Sequence, residues 1–210
     1  MRTITIGLLV ILYSLCHSQT IKWTDAAKEM AIKEISAKSE LYTKAAKDIW
    51  SYAELGFQEN RSTAVLQGLL KEGGFSIQTG VSGMPTAFIA SYGKGKPVIG
   101  ILAEFDALPG LSQDSLPERK IVQEGAPGHA CGHHLFGVAS VASAVALKNW
   151  LLKSGKSGTI KLYGTPAEEG GGAKVYMVRD GLFDGVDAVI HWHPGSGNQA
   201  SPSSCLAIKQ

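Results

Sequence analysis

Three short apolar runs from the middle of the chain onward, PVIGILAEF (97–105), TIKLYG (159–164) and DAVIHWH (187–193), are separated by stretches with helical character. This alternation constrains the fold more than any other feature, because strands joined through helices form parallel pairs in an α/β layer structure. The runs FSIQT and TAFIASY add two short strands between Gly and Pro punctuation. LFGVASVASAVALKNWLL, which follows Gly132, predicts a buried helix ending near Ser154, and AKVYMVRDG predicts a shorter one. Nearer the start, Ala27, Met30, Ala31 and Ile35 recur at helical spacing, and the pattern resumes through Ala45 and Ile49 to Leu55. It predicts one long helix, capped by Thr24 and stopped at Gly56, then a second from about Arg61 to Glu72 ended by Gly73 and Gly74.

In a parallel sheet, ligands collect outside the carboxyl ends of the strands. Each of the three runs delivers polar groups there: Glu104 and Asp106 after the first, Glu168 and Glu169 after the second, His191 and His193 at the end of the third. The loop entering the long helix reads PGHACGHHLF and packs His129, Cys131, His133 and His134 into six positions, in a chain with six His and three Cys. Four segments thus bring metal-binding side chains to one rim. Taken singly, a Cys before a buried helix is ordinarily core and a Glu pair is ordinarily a solvated loop, so the joint placement carries the reading.

With Gly132 between them in an extended backbone, Cys131 and His133 would point to one side while His133 and His134 diverge. Glu168 and Glu169 would diverge for the same reason, one binding a metal and the other facing a substrate. Such a division has a chemical purpose. A bound divalent ion lowers the pKa of water to roughly 7, and a carboxylate beside it takes the proton.

Other functions find less support. Twenty Lys and Arg against eighteen Asp and Glu give a formal charge of +2 without a basic block, which discounts nucleic acid as a partner. GKS at 155–157 ends like a phosphate loop, but Trp150 stands where that loop needs Gly, and no G-x-S-x-G elbow occurs. Asn60, Arg61 and Ser62 form a glycosylation sequon. MRTITIGLLVILYSLCHSQT has the layout of a signal peptide of residues 1–18 cleaved near Ser18, which predicts an exported protein, periplasmic or secreted, with no transmembrane anchor after cleavage. Residues 19–210 would then form the mature chain, an N-terminal part of a larger domain, and an oxidising setting makes a Cys131 to Cys205 disulfide a competing, structural use of Cys131.

ILAEFDALPGLSQ, GHACGHHLFGVAS and YGTPAEEGGGAKVYMVRDGLFDGVDAVIHWHPG together resemble the amidohydrolases of metallopeptidase family 20, and within it the branch typified by the aminobenzoyl-glutamate hydrolase B subunit. The resemblance implies a zinc-exopeptidase-like catalytic domain with a mostly parallel sheet flanked by helices. It also implies two divalent ions, zinc or manganese, and hydrolysis of amide bonds in N-acyl or N-aroyl amino acids, such as aminobenzoyl-glutamate, or in small peptides. By motif position Cys131, His133, Glu169 and His193 resemble the metal ligands, Glu168 the general base and Asp106 the residue that orients the site; His191 is not the ligand equivalent. After Cys-Gly-His the family often has Asp or Asn where this chain has His134. The family architecture adds a lid and dimerisation domain and a returning half of the catalytic domain, and forms homodimers; this sequence stops near the start of the inserted domain. The rival expectation is a non-catalytic metal-binding remnant.

Overall fold

The computed structural model describes residues 25–197. The signal-peptide segment, the Thr24 cap and Cys205 lie outside the described residues. The predicted long N-terminal helix is two: α1 (Asp25–Ala37) and α2 (Ser39–Tyr52). The break falls at Lys38, whose φ of −113° and ψ of 17° leave the helical region. Periodicity of apolar residues is preserved across a one-residue break, so the sequence pattern does not reveal it. α2 ends at Ala53 in the left-handed region rather than at Gly56. α3 (Asn60–Glu72) follows, and its Ser62 is buried and bonded to Glu54, which places the sequon inside a packed helix start.

Then come β1 (Ser76–Thr79), β2 (Phe88–Lys94), β3 (Val98–Ala103), α4 (His133–Ser154), β4 (Gly158–Gly164), α5 (Ala173–Arg179) and β5 (Ala188–Ile190). The five strands form one mixed sheet in the order β1-β2-β4-β3-β5. β3 pairs parallel with β4 and with β5, as helix-linked strands do. β1 pairs antiparallel with β2, and β2 with β4, so the expectation of a mostly parallel sheet holds only for the β4-β3-β5 half. For β1 and β2 the reason is connection length: the short link 80–87 cannot make the crossover that a parallel pair requires.

Alternation along the strands sorts the core into two layers. Phe88, Ala90, Ile101, Ala103, Ile160 and Leu162 face the helical layer and pack with Ile49, Leu66, Leu70, Val141 and Val145. Ile89 and Tyr163 face the opposite side and pack with Val81, Met84, Ala173 and Met177. α4 is long and apolar enough to cross a membrane by composition, yet Val138, Val141, Ala144 and Val145 are buried in the helical-side core. Gly137 lets α4 approach the sheet closely, since a Cβ there would meet the Glu104 carbonyl oxygen at 2.7 Å.

The chain leaves β3 through α4, which packs with the helical layer, and leaves β4 through α5, which packs on the other side. Adjacent parallel strands whose exits go to opposite faces open a crevice between their carboxyl ends. Glu104 and Asp106 follow β3 directly, and the loop bearing Glu168 and Glu169 follows β4.

Candidate metal centre

His133 is the hub of the crevice. It opens α4, is fully buried, and places its ring between two sets of carboxylates. Nδ1 lies 2.8 Å from Asp106 Oδ1, and Asp106 Oδ2 accepts the Glu169 backbone N–H at 2.9 Å. Asp106 therefore fixes a ring and a loop at once. With its Nδ1–H donated to Asp106, the imidazole turns Nε2 toward Glu104 Oε2 at 3.0 Å, Glu169 Oε1 at 3.9 Å and Glu168 Oε2 at 4.0 Å. Nε2 is buried without a hydrogen-bond partner, and so is Glu169 Oε1.

Two overlapping donor groups result. Cys131, His133 and His193 offer ligand atoms within 4.8 Å of one another, as do Glu104, His133 and Glu168. Cys131 Sγ lies 3.3 Å from His193 Nε2, while His193 Nδ1 bonds the Pro194 carbonyl at 2.9 Å. Thiolate, imidazole and carboxylate donors around an unsatisfied buried ring nitrogen fit a divalent ion such as zinc or manganese.

The field at this point favours positive charge. Burial by itself would lower the pKa of His133, but the hydrogen bond to Asp106, the ion pair with Glu104 and the charges of both carboxylates outweigh it and push the ring up to about 10. Burial pushes the Cys131 thiol up to about 12, reinforced by Glu169, Glu168 and Glu104. Glu104 itself is held below the usual carboxylate range: burial works against its charge, and His133 and Lys174 overcome burial. Lys174 Nζ pairs closely with Glu104 Oε1.

All six residues singled out from the sequence, Asp106, Cys131, His133, Glu168, Glu169 and His193, converge on the crevice. The backbone corrects two local expectations. Gly132 has a φ of 80°, so Cys131 and His133 flank a helix start and do not lie on an extended strand. Glu168 and Glu169 sit in a turn after Ala167, whose φ is 53°, and both carboxylates approach His133 rather than diverging. Glu104 was named at the rim but given no role, and Lys174 was missed. Glu104 was visible at the rim, adjacent to the strand, whereas Lys174 on α5 carried no signal.

His129 and His134 form a separate pair behind the centre, with ring centroids 5.0 Å apart. His129 Nε2 donates to the Ile49 carbonyl at 3.1 Å, and the Nδ1 atoms of both rings are buried without partners. Burial lowers both to about 4 from an ordinary 6.5, helped by the charge of His134 at His129 and of His133 at both. Below pH 6.5 the unfolded chain takes up protons that the folded chain refuses until about pH 4, so stability falls as pH drops through that window. His133, raised instead, is protonated in both states there and contributes no slope. The expected loss between pH 6.5 and 4 in the metal-free chain is on the order of 5 kcal/mol for the pair. Thermal melts should show it, with a shallower slope in His134→Asn; an unchanged slope would contradict the neutral buried pair.

Comparison with known proteins relates the chain to known hydrolases. Residues 100–205 match the profile of Peptidase family M20/M25/M40. Over 161 residues, 76% of the chain, it is 47% identical to the B subunit of the p-aminobenzoyl-glutamate hydrolase of Escherichia coli strain K12, covering 34% of that protein. It is 31% identical to the Xaa-Arg dipeptidase of Mus musculus over 82% of its own length and 39% of the relative's. Its structure is similar to that of a dinuclear metal-binding peptidase of the M20 family from Bacillus subtilis, with a TM-score of 0.61 and 29% identity over 73% of this chain and 42% of that one. The chain thus spans 34% to 42% of the length of these relatives.

Proposed function

Because the chain belongs to Peptidase family M20/M25/M40, we propose that it is the metal-holding part of a hydrolase that cleaves the amide bond of N-acyl or N-aroyl amino acids or small peptides. The observation that carries this reading is the buried Nε2 of His133, turned toward a cluster of carboxylates, with Glu104, Glu168 and Glu169 all within 4.0 Å of it. In this reading Cys131, His133, Glu169 and His193 hold two divalent ions, zinc or manganese. Such ions, when bound, polarise the scissile carbonyl and bring the pKa of water down to roughly 7.

Glu168 serves as the base. Its side chain is 41% exposed, so its carboxylate can reach a water on the open side of the crevice, take its proton and pass it to the departing amine. Asp106 holds a proton on His133 Nδ1, so that a bound ion would displace the proton on Nε2 and take up the lone pair there. Lys174 neutralises part of the negative charge through Glu104.

The alternative of a metal-binding module without turnover has one observation in its favour: His193 is exposed, and Glu168 half so, on a rim open to solvent. Metal stoichiometry and activity separate the two. After loading with manganese and removal of loosely bound ion, the chain is expected to retain close to two ions, fewer in Glu169→Ala and His193→Ala. Retention unaffected by either substitution would overturn the ligand assignment. Full stoichiometry without turnover on N-acyl amino acids would favour the module.

A further inference from the structure

The turn that presents Glu168 and Glu169 is anchored at two backbone amides, one on each side of Glu168. The Glu169 amide is held by Asp106, which belongs to the centre itself. The Ala167 amide is held from elsewhere. It donates at 2.8 Å to Oε1 of Glu59, the residue that precedes α3. Glu59 is fully buried, and its Oε2 accepts the Thr86 hydroxyl at 2.8 Å; Thr86 is also fully buried.

Ala167 needs such an anchor. Its φ of 53° is unfavourable for a residue with a Cβ, and no repetitive structure enforces it. The segment around Glu59 is shaped to it. A Cβ on Gly56 would meet the Ala167 Cβ at 2.8 Å, and one on Gly171 would meet the Phe57 ring at 2.3 Å. Phe57 itself has a φ of 64°. The Glu54 carbonyl accepts the Ala107 N–H at 2.9 Å, so the same loop also steadies the chain just beyond Asp106. A buried carboxylate with two donors on two other segments has a role beyond capping a helix.

We propose that Glu59 is a positioning residue of the metal centre: through its bond to the Ala167 amide it holds the turn that aims Glu168 and Glu169 at His133. The proposal rests on the reading of Glu169 as a ligand and Glu168 as the base. Glu59 touches neither metal nor substrate and acts only through the turn.

The test uses the 210-residue chain with Glu59→Leu, Glu59→Gln and Thr86→Val, read by amide hydrogen exchange and by manganese titration. Glu59→Leu is expected to speed exchange in residues 165–172 by about tenfold while leaving β4 unchanged, because only the turn is released. Manganese affinity should fall by about tenfold, the low end for loss of a residue that supports a ligand. That loss should vanish when Glu169→Ala is already present. Glu59→Gln should behave like the wild type, its amide oxygen accepting from Ala167 and its NH2 donating to the Thr86 hydroxyl. Thr86→Val, which is nearly isosteric, should move exchange in the same direction by a smaller factor and serves if Glu59→Leu does not fold. Equal acceleration of β4 and the turn, or no acceleration in the turn, would overturn the proposal by reducing Glu59 to a general staple. A Glu169→Ala variant with unchanged manganese affinity would sink the ligand reading instead, and the exchange data would still decide the role of Glu59 in ordering the turn.

Discussion

If Glu168 is the base of the proposed hydrolase, replacing it with Gln is expected to lower turnover by about 10² to 10⁴ while leaving metal content unchanged. Gln matches Glu in size and preserves the turn, but it cannot take a proton from water. Glu168 and Glu169 both lie near His133 Nε2, at 4.0 Å and 3.9 Å, so distance alone does not divide their roles. Exposure does: 41% of the Glu168 side chain reaches solvent against 20% for Glu169, and the Glu169 Oε1 is buried without a partner, facing inward. Metal analysis beside the kinetic assay decides the matter. Loss of both metal and turnover would make Glu168 a ligand, a possibility its proximity to Glu104 and His133 already offers. Normal turnover would remove it from the mechanism.

Asp106→Asn is the second large effect. As a carboxylate, Asp106 accepts on both oxygens, from His133 Nδ1 and from the Glu169 amide. Asn offers one acceptor and one donor in the same space, so either His133 loses its acceptor or the Glu169 amide faces an NH2 group. In the first case the ring proton moves to Nε2, the atom turned toward Glu104, and the lone pair points away from the centre. Metal affinity is expected to drop by roughly 10- to 100-fold, the range for residues that orient ligands, with only a modest change in melting temperature. Titration of the chain with manganese would show this. An affinity within about twofold of wild type would mean that Asp106 does not set the His133 tautomer.

Both expectations depend on contacts that bring distant residues together, and they differ in how visible they were beforehand. Asp106, Glu168, Glu169 and His193 lie at or just beyond the ends of apolar strands, and Cys131 and His133 crowd the entry to an apolar helix, so all six announce themselves in the sequence. The six residues meet because β3, β4 and β5 are adjacent and parallel. Glu104 sits directly after Ala103 and was visible at the rim, yet its position 3.0 Å from His133 Nε2 depends on how α4 packs against β3. Glu59 and Lys174 gave no sign. One precedes a helix, the other begins one, and nothing local distinguishes either from a solvated charge until the turn and β3 are packed against them.

The break at Lys38 and the left-handed residues Ala53, Phe57 and Ala167 belong to the same category. Each is a backbone choice that local preference opposes and surrounding contacts impose, as Gly56, Phe57 and Glu59 do for Ala167. The sequence by itself determined the α/β class, the order of the strands and of the helices between them, and the residue types at the rim, because the periodicity of apolar side chains and the turn residues act over a few positions. Only the tertiary structure decided the mixed pairing of the sheet, which carboxylates face His133 and what holds their turn. Those outcomes depend on contacts between residues 27 to 108 positions apart, whose closure no local pattern encodes.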